Sequence, residues 1–258
     1  MSGRQTMART AKRGRLNWQL ADVVGLVDET PRIRTIELEA PDWPGHLAGQ
    51  HVDVRLTAED GYRAQRSYSI ATPADGSRLA ISVERIEDGE VSPYLAGELR
   101  AGDKLELRGP IGGYFVWEPR RGGPLLLAGG GSGVAPLMAM LRERVATGSW
   151  VSVRLLASSR SWADVVYRSE LEAIGRDEMG IEIVHALTRS QPPSWPGYDR
   201  RVDREMLAEV AWPPTDRPLC YVCGPTGFVE TVASALVELG HAPDLVLTER
   251  FGPTGGPP

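Results

Sequence analysis

The chain is poor in cysteine and in positive charge, and each shortage excludes a class of protein. Only 2 of the 258 residues are cysteine, too few for a disulfide scaffold or for the four thiolates that an iron–sulfur cluster or a structural zinc site usually needs. No metal site is therefore predicted. Lys and Arg number 29 against 34 Asp and Glu, which gives a net charge of −5 and argues against nucleic acid as the main partner.

The two cysteines form a C-x-x-C motif, but its setting does not favour redox chemistry. Cys220 and Cys223 lie in the apolar run Leu219–Cys223. Such a run is typical of a strand, in which three residues span roughly 10 Å. That separation exceeds the Cα distance of about 7 Å that a disulfide can bridge. The sequence therefore argues against a redox dithiol.

A membrane span is also missing. Residues 123–141 carry no charge, but they include five glycines and two prolines, which are poorly suited to a spanning helix. The basic N-terminus is followed by Asn17-Trp18-Gln19 instead of the apolar core of a signal peptide. The sequence predicts a cytoplasmic protein that does not contact membranes, with residues 1–16 as a disordered basic leader and residues 253–258 as a frayed tail.

Short runs of alternating apolar and polar residues fill the first half of the chain. Pro, Gly or Asp residues bound each run, as is typical of antiparallel strands. After the fifth run, Ser92 and Pro93 are placed like the N-cap and the first residue of a short helix. We therefore predict a six-stranded antiparallel β-barrel domain over residues 17–119. The predicted strands are Gln19–Val27, Arg32–Glu39, His51–Leu56, Gln65–Ile70, Arg78–Arg85 and Lys104–Leu107.

From residue 120 the pattern changes to continuous apolar runs that alternate with helical segments. Such runs are typical of buried parallel strands whose two faces are covered by helices. We therefore predict a doubly wound α/β domain with a parallel sheet over residues 120–252. The predicted strands are Pro124–Ala128, Val151–Ala157, Ile181–Ala186, Leu219–Cys223 and Asp244–Thr248, and the predicted helices are Val134–Val145, Ala163–Ile174, Arg204–Val210 and Gly227–Leu239.

The segment Leu125–Pro136 has the pattern of a strand, a glycine turn and the start of a helix. Glycines let the backbone approach a pyrophosphate closely, and the free N–H groups of the following helix attract its charge. The segment is therefore interpreted as the first crossover of a nucleotide-binding domain. Pro136 replaces the third glycine of the usual G-x-G-x-x-G pattern, so a purely structural turn stays open on this motif alone.

Arg66-Ser67-Tyr68-Ser69 lies on the fourth predicted strand. Alternate residues of a strand point to opposite faces, so a ligand must lie along the strand edge to touch Arg66, Tyr68 and Ser69 together. A flat ring stacked on Tyr68, with a phosphate at Arg66, would do so. On their own these residues fit an ordinary half-exposed strand equally well.

Taken together, the motifs resemble the ferredoxin–NADP reductase superfamily, and the resemblance extends from about Trp18 to Phe251. It rests on five segments in the family's order and spacing: Arg66–Ser69, Gly89–Ser92, Gly109–Gly112, Gly131–Pro136 and Cys223–Pro225. The resemblance implies FAD in the barrel, NADP or alternatively NAD in the α/β domain, and hydride transfer between the two cofactors in the cleft.

The resemblance also implies roles for single residues toward FAD. Arg66 would pair with the pyrophosphate, Tyr68 would pack on the isoalloxazine and Ser69 would hydrogen-bond flavin N5. Val91 and Ser92 resemble the pair that cradles the FAD phosphates. The further flavin contacts implied are Ser67, Ser132 and Phe251. Seven residues follow Phe251, which leaves a plain hydrophobic plug as an alternative for that side chain.

Toward the nicotinamide nucleotide, the resemblance implies a pyrophosphate turn and a reacting centre. The turn would consist of Gly131, Ser132, Gly133 and Pro136, and Ser132 would touch both cofactors. Cys223, Gly224 and Pro225 would lie beside the nicotinamide, and Glu249 would be the acidic residue near the reacting centre. Ser69, Cys223 and Glu249 are thus the candidate catalytic residues.

The choice between NADP and NAD depends on the end of the second strand of the α/β domain. An acidic residue there would bind a free ribose 2′-hydroxyl, whereas an arginine accommodates a 2′-phosphate. The strand end offers Ser158 and Arg160, and Arg168 lies on the following helix. Asp164 is expected to cap that helix. We therefore predict NADP, with solvated surface arginines as the alternative.

The implied function is a flavoprotein reductase that passes hydride from NAD(P)H to FAD and then electrons singly to a separate acceptor protein. The two cysteines leave no fused ferredoxin domain in this sequence, so the acceptor would be a ferredoxin, a flavodoxin or an oxygenase component. Three alternatives stay open: a reductase of small acceptors such as free flavin or ferric chelates, an FAD-binding regulatory subunit without turnover, and a structural α/β module.

Overall fold

A computed structural model describes residues 16–251 of the chain. Within them, a six-stranded antiparallel sheet is followed by a five-stranded parallel sheet with helices. The predicted fold class is therefore confirmed. The predicted leader, except for its last residue, and the predicted tail lie outside the described residues. No helix in the described part of the chain combines the length and the apolar character that crossing a membrane requires.

The first sheet closes into a barrel. Its strands are β1 (Trp18–Asp28), β2 (Ile33–Glu39), β3 (His51–Thr57), β4 (Arg63–Ser69), β5 (Arg78–Glu84) and β6 (Lys104–Ile111). They are hydrogen-bonded in the order β4-β3-β6-β1-β2-β5. An antiparallel bridge between Ile70, just after β4, and Ile81 of β5 joins the two ends of this order. On β6 the buried side chains of Leu105 and Leu107 alternate with more exposed polar ones, as the sequence pattern predicts, whereas β5 is buried without a break from Leu79 to Val83.

The second sheet is parallel and buried on both faces. It consists of β7 (Leu125–Gly130), β8 (Val153–Ser161), β9 (Ile181–Ser190), β10 (Leu219–Pro225) and β11 (Val246–Phe251), with helices α1 (Val134–Ala146), α2 (Arg168–Asp177), α3 (Arg204–Val210) and α4 (Thr226–Glu238). The strand order is β11-β10-β7-β8-β9. Leu125 and Leu127 pack in one core with α1 and α2, whereas Leu126 and Ala128 pack in a second core with α3 and α4.

The core that contains α1 continues into the barrel domain. It includes Ile33, Ala48 and Ala71 from the barrel side together with Leu137 and Met138 of α1. Burial of apolar surface between the two domains therefore holds them together. This shared core fixes the cleft in which residues from both domains meet.

The start of α2 differs from the prediction. The sequence pattern predicts a helix from Ala163, but α2 begins at Arg168 because Tyr167 has a left-handed backbone, with φ of 56°. The expectation that Asp164 caps this helix is wrong. Asp164 lies in a separate single turn, Trp162–Asp164, and accepts a hydrogen bond of 2.6 Å from the Ser161 hydroxyl.

The predicted helix cap at Ser92 is also wrong. The N-cap position falls on Pro93, and no side chain caps the turn Tyr94–Glu98 that follows. The Ser92 side chain is buried, and its hydroxyl instead accepts a hydrogen bond of 3.1 Å from the Ile86 amide. The serine therefore stabilises the preceding loop. The turn itself is wide, since the Leu99 amide bonds to the Tyr94 carbonyl five residues earlier.

Candidate functional site

The glycine turn after β7 packs against β10 on one side and is open on the other. A Cβ on Gly133 would lie 2.3 Å from the Cys223 carbonyl oxygen, so no larger residue fits there. Gly131 has φ of +56° and would have no atom within 4 Å of a Cβ, which leaves room for a ligand. Pro136 is the third residue of α1, where the backbone N–H has no partner within the helix. Its place in the turn therefore costs no hydrogen bond.

A cavity of about 520 Å³ lies at the carboxyl ends of the parallel strands. Gly130 and Gly131 of the β7 turn and Pro225 of β10 line it. The chain runs from β7 to β8 on one side and returns to β10 on the other, so this is the switch point at which open α/β sheets bind ligands. The barrel domain contributes Thr30, Arg32, Ile33 and Glu84 to the lining.

The strand ends supply the cavity with cations. Ser158 and Arg160 line it, as does Arg201 from the segment after β9. Neither arginine forms an ion pair within residues 16–251. Asp164 is also part of the lining. The cavity lining therefore holds three guanidinium groups and the two carboxylates of Glu84 and Asp164, and Arg32 is the guanidinium that pairs with Glu84.

Arg168 lies elsewhere. It is not part of the cavity lining, and its guanidinium donates to the Trp162 carbonyl at 3.3 Å and lies over the Trp162 ring. Arg201, which the sequence analysis missed, lines the cavity and Arg168 does not. The place of Arg201 in the cavity could have been predicted from its position after β9, because the carboxyl ends of neighbouring parallel strands meet at one edge of the sheet.

The three candidate catalytic residues lie at the junction of the two domains. Cys223 on β10 is the register partner of Glu249 on β11. Ser69, at the end of β4 in the barrel, donates a hydrogen bond of 3.5 Å to the Glu249 carboxylate. A serine of one domain and an acid and a thiol of the other are thus brought together from positions 180 residues apart.

Burial sets the protonation states at this junction. It raises the pKa of Glu249 to about 7, although the hydrogen bond from Ser69 opposes the shift. Burial also raises the pKa of the Cys223 thiol, and the nearby Glu249 adds to the effect. Glu249 can therefore gain or lose a proton near neutral pH, whereas Cys223 stays a neutral thiol and is not an activated nucleophile.

His51 is a member of this junction that the sequence analysis missed. Its Nδ1 atom lies 3.8 Å from a Glu249 carboxylate oxygen, and it is the register partner of Ser69 across β3 and β4. Burial lowers the pKa of His51. The signal was its place at the start of the strand before the Arg66–Ser69 motif, but the pairing register was needed to see it.

The two predicted FAD-phosphate segments contact each other. The guanidinium of Arg66 donates to the Glu90 carboxylate at 2.7 Å, and this pair is about half exposed. Val91 and Ser92, next in the chain, are buried. Arg66 on β4 and the start of the short helix therefore face one region of the barrel surface.

The neighbours of Arg66 on β4 have separate surroundings. The Ser67 hydroxyl donates to Asp53 at 2.6 Å, so the structure does not bring Ser67 to the junction of Ser69 and Glu249. Tyr68 is half-buried against the barrel core, and burial raises the pKa of its phenol to about 12.

Three further predicted residues lie where β10 and β11 end and where the glycine turn begins. A Cβ on Gly224 would lie 2.9 Å from the Phe228 ring, so β10 ends in tight contact with α4. Phe251 is partly buried against the shared core and is the register partner of Pro225. Ser132 donates a hydrogen bond of 2.8 Å to Glu84 of the barrel, which ties the glycine turn to the other domain.

The residues present fit both cofactors that the sequence implies. The Arg66 guanidinium, beside the start of the short helix after Ser92, can donate hydrogen bonds to a pyrophosphate. The half-buried ring of Tyr68 provides a flat apolar surface. A Cβ on Gly131 of the cavity's glycine turn would meet no atom within 4 Å, and Arg160 and Arg201 match the charge of a phosphorylated nucleotide.

Family comparisons cover both domains. Residues 26–116 match the oxidoreductase FAD-binding domain family, and residues 127–234 match the oxidoreductase NAD-binding domain family. The chain is 34% identical over 239 residues to ferredoxin–NADP reductase B of Sorangium cellulosum, a match that covers 90% of this chain and 96% of that protein. It is 31% identical over 244 residues to a glycine betaine monooxygenase reductase subunit of Pseudomonas aeruginosa, covering 91% of this chain and 64% of that one.

Other relatives are longer than this chain. A flavohemoprotein of Pseudomonas aeruginosa is 31% identical over 231 residues, but the chain spans only 56% of it.

Among solved structures, the FAD- and NAD-binding domain of nitric oxide dioxygenase from Vibrio cholerae superposes with a TM-score of 0.81 at 26% identity, covering 91% of this chain and 99% of that one. An Amycolatopsis cytochrome P450 reductase gives 0.80 at 28% identity, covering 95% and 74%.

These matches confirm the expected family, the FAD and NAD(P) cofactors and the class of enzyme. They agree with the geometry, in which a barrel and a parallel sheet bring candidate residues of both domains to one cleft. The chain belongs to the ferredoxin–NADP reductase superfamily and is an NAD(P)H-dependent, FAD-containing oxidoreductase.

Proposed function

We propose that this chain takes hydride from NADPH onto FAD and delivers the electrons singly to a separate acceptor protein. The observation that carries the proposal is the junction of Ser69, Cys223 and Glu249, which contains residues of both cofactor domains. Cys223 lies two residues before Pro225, which lines the nucleotide cavity. A ring that enters from the cavity side and a ring held on the barrel would meet at this junction.

The protein's own residues bind, orient and handle protons. When bound, FAD supplies the conversion between a two-electron hydride and single electrons. Ser69 presents a hydroxyl at the barrel side of the junction, and Glu249, with its pKa near 7, can hold or release a proton there. Cys223 forms the opposite wall as a small neutral side chain.

Arg66 and the Val91–Ser92 backbone would hold the FAD pyrophosphate. The ion pair between Arg66 and Glu90 is about half exposed, and such pairs contribute little free energy. The guanidinium can therefore exchange Glu90 for a phosphate at small cost. Tyr68 and Phe251 would contact the flavin ring.

NADPH is favoured over NADH by the cations of the cavity. Arg160 and Arg201 would bind the 2′-phosphate, with Ser158 as a hydroxyl donor. Replacing both arginines by alanine should lower kcat/KM for NADPH at least about tenfold and leave NADH nearly unchanged, because a charge-assisted contact is lost.

Arg200 provides a matched control for this substitution. It precedes Arg201 but pairs with Asp203 and does not line the cavity. Arg200→Ala should therefore leave both cofactors unaffected. A wild-type enzyme that prefers NADH, or a double variant that loses NADPH and NADH equally, would contradict the assignment of the 2′-phosphate site.

The class of acceptor is tested by comparing the rates of NADPH oxidation with different acceptors. Two of the relatives are named as a ferredoxin–NADP reductase and as the reductase subunit of a monooxygenase, which supports a protein acceptor for this chain as well. NADPH oxidation should be measured with a ferredoxin, a flavodoxin, free flavin and a ferric chelate.

We expect at least one protein acceptor to give a kcat/KM well above that of either small acceptor. A higher value for free flavin or the ferric chelate would indicate a reductase of diffusible acceptors. Bound FAD with no NADPH oxidation, even with ferricyanide, would indicate a regulatory subunit.

A further inference from the structure

Tyr167 of the α/β domain inserts its side chain into the barrel domain. The residue is 3% exposed, and its phenol hydroxyl contacts the Ser82 hydroxyl on β5. Ser82 in turn contacts the Thr35 hydroxyl on β2 at 2.8 Å, and Thr35 donates to Glu29 at 2.9 Å. The other Glu29 oxygen accepts the Tyr167 backbone N–H at 3.2 Å. We call these four residues the Tyr167 ring.

The direction of every hydrogen bond in the Tyr167 ring follows from its one acceptor. The Thr35 hydroxyl donates its one proton to a Glu29 carboxylate oxygen. Ser82 must then donate to Thr35, and Tyr167 must donate to Ser82. Burial raises the pKa of the phenol to about 12, so its proton is present for this purpose. The ring crosses between the domains twice, and each polar group in it is satisfied.

The backbone at Tyr167 is held in an unfavourable conformation. Its φ of 56° is left-handed, which is uncommon for a bulky residue and persists only when its surroundings enforce it. The bond from its N–H to Glu29 is one such constraint. The guanidinium of Arg142 is another, since it lies over the aromatic side chain of Tyr167, 4.9 Å from the centroid of that side chain.

Arg142 connects the Tyr167 ring to the segment after β4, the strand that carries Arg66, Tyr68 and Ser69. Its guanidinium donates to the Ala71 carbonyl at 2.7 Å and pairs with Glu170 at 2.6 Å. Ala71 follows Ser69 by two residues, and Arg142 lies on α1, the helix that follows the glycine turn. The segment after β4 and helix α1 are therefore hydrogen-bonded to each other beside the Tyr167 ring.

Sequence neighbours of two members of the Tyr167 ring line the nucleotide cavity. Glu29 is adjacent in sequence to Thr30, and Tyr167 follows Asp164 by three residues. Thr30 and Asp164 both line the cavity. None of the four members lines the cavity itself, so substitutions within the Tyr167 ring leave the nucleotide contacts in place.

We propose that Tyr167 is a positioning residue that fixes the approach of the nicotinamide domain to the flavin domain. The inference rests on the proposed hydride transfer. Hydride transfer requires a short and well-defined separation of donor and acceptor, and a misplacement of 1 Å can cost about a hundredfold in rate. An apolar interface resists separation but permits sliding, since hydrophobic contacts are non-directional. The directed bonds of the Tyr167 ring remove that freedom.

The test uses Tyr167→Phe and Ser82→Ala in the holoenzyme. Each substitution removes one partner of the same contact, and Tyr167→Phe retains the packing ring. In anaerobic stopped flow, each should slow flavin reduction by NADPH about tenfold, with FAD content and NADP⁺ affinity changed by less than about twofold. The double variant should be no slower than the slower single variant, because both act through one contact.

Tyr198→Phe is the matched control. It also removes a hydrogen-bonded phenol hydroxyl, but this one donates to the Glu209 carboxylate within the α/β domain. Its flavin reduction rate should equal that of the wild type. A second readout does not depend on activity: amide hydrogen exchange over residues 29–36 and 163–171 should be faster in Tyr167→Phe than in Tyr198→Phe.

The outcomes separate this inference from the proposed function. Wild-type enzyme that no nicotinamide nucleotide reduces would contradict the proposed function, whereas the exchange experiment would still decide whether the Tyr167 ring holds the interface. Unchanged flavin reduction and exchange in Tyr167→Phe would overturn the inference. So would a rate loss that merely follows FAD content, or additive losses in the double variant.

Discussion

The two ends of the domain interface hold their polar groups in opposite ways. At the junction, Ser69 and His51 approach Glu249 at 3.5 and 3.8 Å. In the Tyr167 ring, Thr35 bonds to Glu29 and to Ser82 at 2.9 and 2.8 Å. The junction thus keeps donors and acceptors weakly engaged, and the ring leaves none free.

The difference indicates a division of labour. A closed set of short hydrogen bonds gives a unique geometry, because each member is satisfied in only one arrangement. Weakly engaged groups remain available to a cofactor ring and to a proton. We infer that the Tyr167 ring sets the relative position of the two domains, whereas the proposed hydride transfer takes place at the junction. Substitutions at the two ends should differ accordingly.

The largest expected effect is on stability at the junction. Because burial raises the pKa of Glu249 from 4.5 to about 7, the folded state binds this proton more tightly than the unfolded chain. Wild-type stability should therefore fall as pH rises through this interval. Glu249→Gln removes the titration, so its advantage over the wild type should grow to about 3 kcal/mol above pH 7.

Urea unfolding of both proteins at about pH 5 and about pH 8 measures this difference. His51, Ser69 and Cys223 face the Glu249 carboxylate and are unchanged in both proteins. A difference between variant and wild type that does not depend on pH would mean that Glu249 titrates at its ordinary pKa and is solvated.

A smaller effect is expected when the Tyr167 ring is broken. Glu29→Ala leaves the Thr35 hydroxyl and the Tyr167 amide without their acceptor, which should lower the free energy of unfolding by about 2 kcal/mol. Ser69→Ala, at the junction, should lower it by less than about 0.5 kcal/mol, since its bond to Glu249 is long. Thermal and urea unfolding check both values. Equal losses would remove the contrast between the two ends.

The smallest effect concerns the two cysteines. Cys223→Ala should slow flavin reduction about fivefold, because the thiol forms the wall of the junction and its loss lets a bound ring shift. FAD content should stay near normal. Cys220→Ala removes the same volume from the opposite core and should leave the rate unchanged. Equal rate losses in the two variants would indicate a function of the pair that the geometry does not explain.

Much of the fold could be predicted because the two halves follow opposite hydrophobic patterns. Alternating apolar and polar residues predict the barrel strands, although β5 is buried without a break from Leu79 to Val83. The continuous apolar runs predict β7 to β10 within a few residues. The start of α2 could not be predicted, because Tyr167 adopts its left-handed conformation through contacts with Glu29 and Arg142, which are distant in sequence. Ser92 failed as a cap for a similar reason, since its hydroxyl is used by Ile86.

The candidate site divides in the same way. The resemblance of the motifs led to Ser69, Cys223 and Glu249, which the fold then brings together. His51 and Arg201 were missed because their roles depend on strand register and on the meeting of strand ends. Arg168 was misplaced because it was assigned to a helix whose first turn the sequence puts too early. Local patterns thus identify residue types, whereas tertiary contacts decide which of them share a cleft.

We propose that hydride passes from NADPH to FAD across the junction of Ser69, Cys223 and Glu249. Anaerobic mixing of the purified, FAD-reconstituted protein with one equivalent of NADPH tests it most directly, with the flavin absorbance as the readout. We expect the extracted flavin to be FAD, its absorbance to be bleached in a single turnover, and NADH to act more slowly. Failure to bind FAD, or bound FAD that stays oxidised with both nucleotides, would contradict the account.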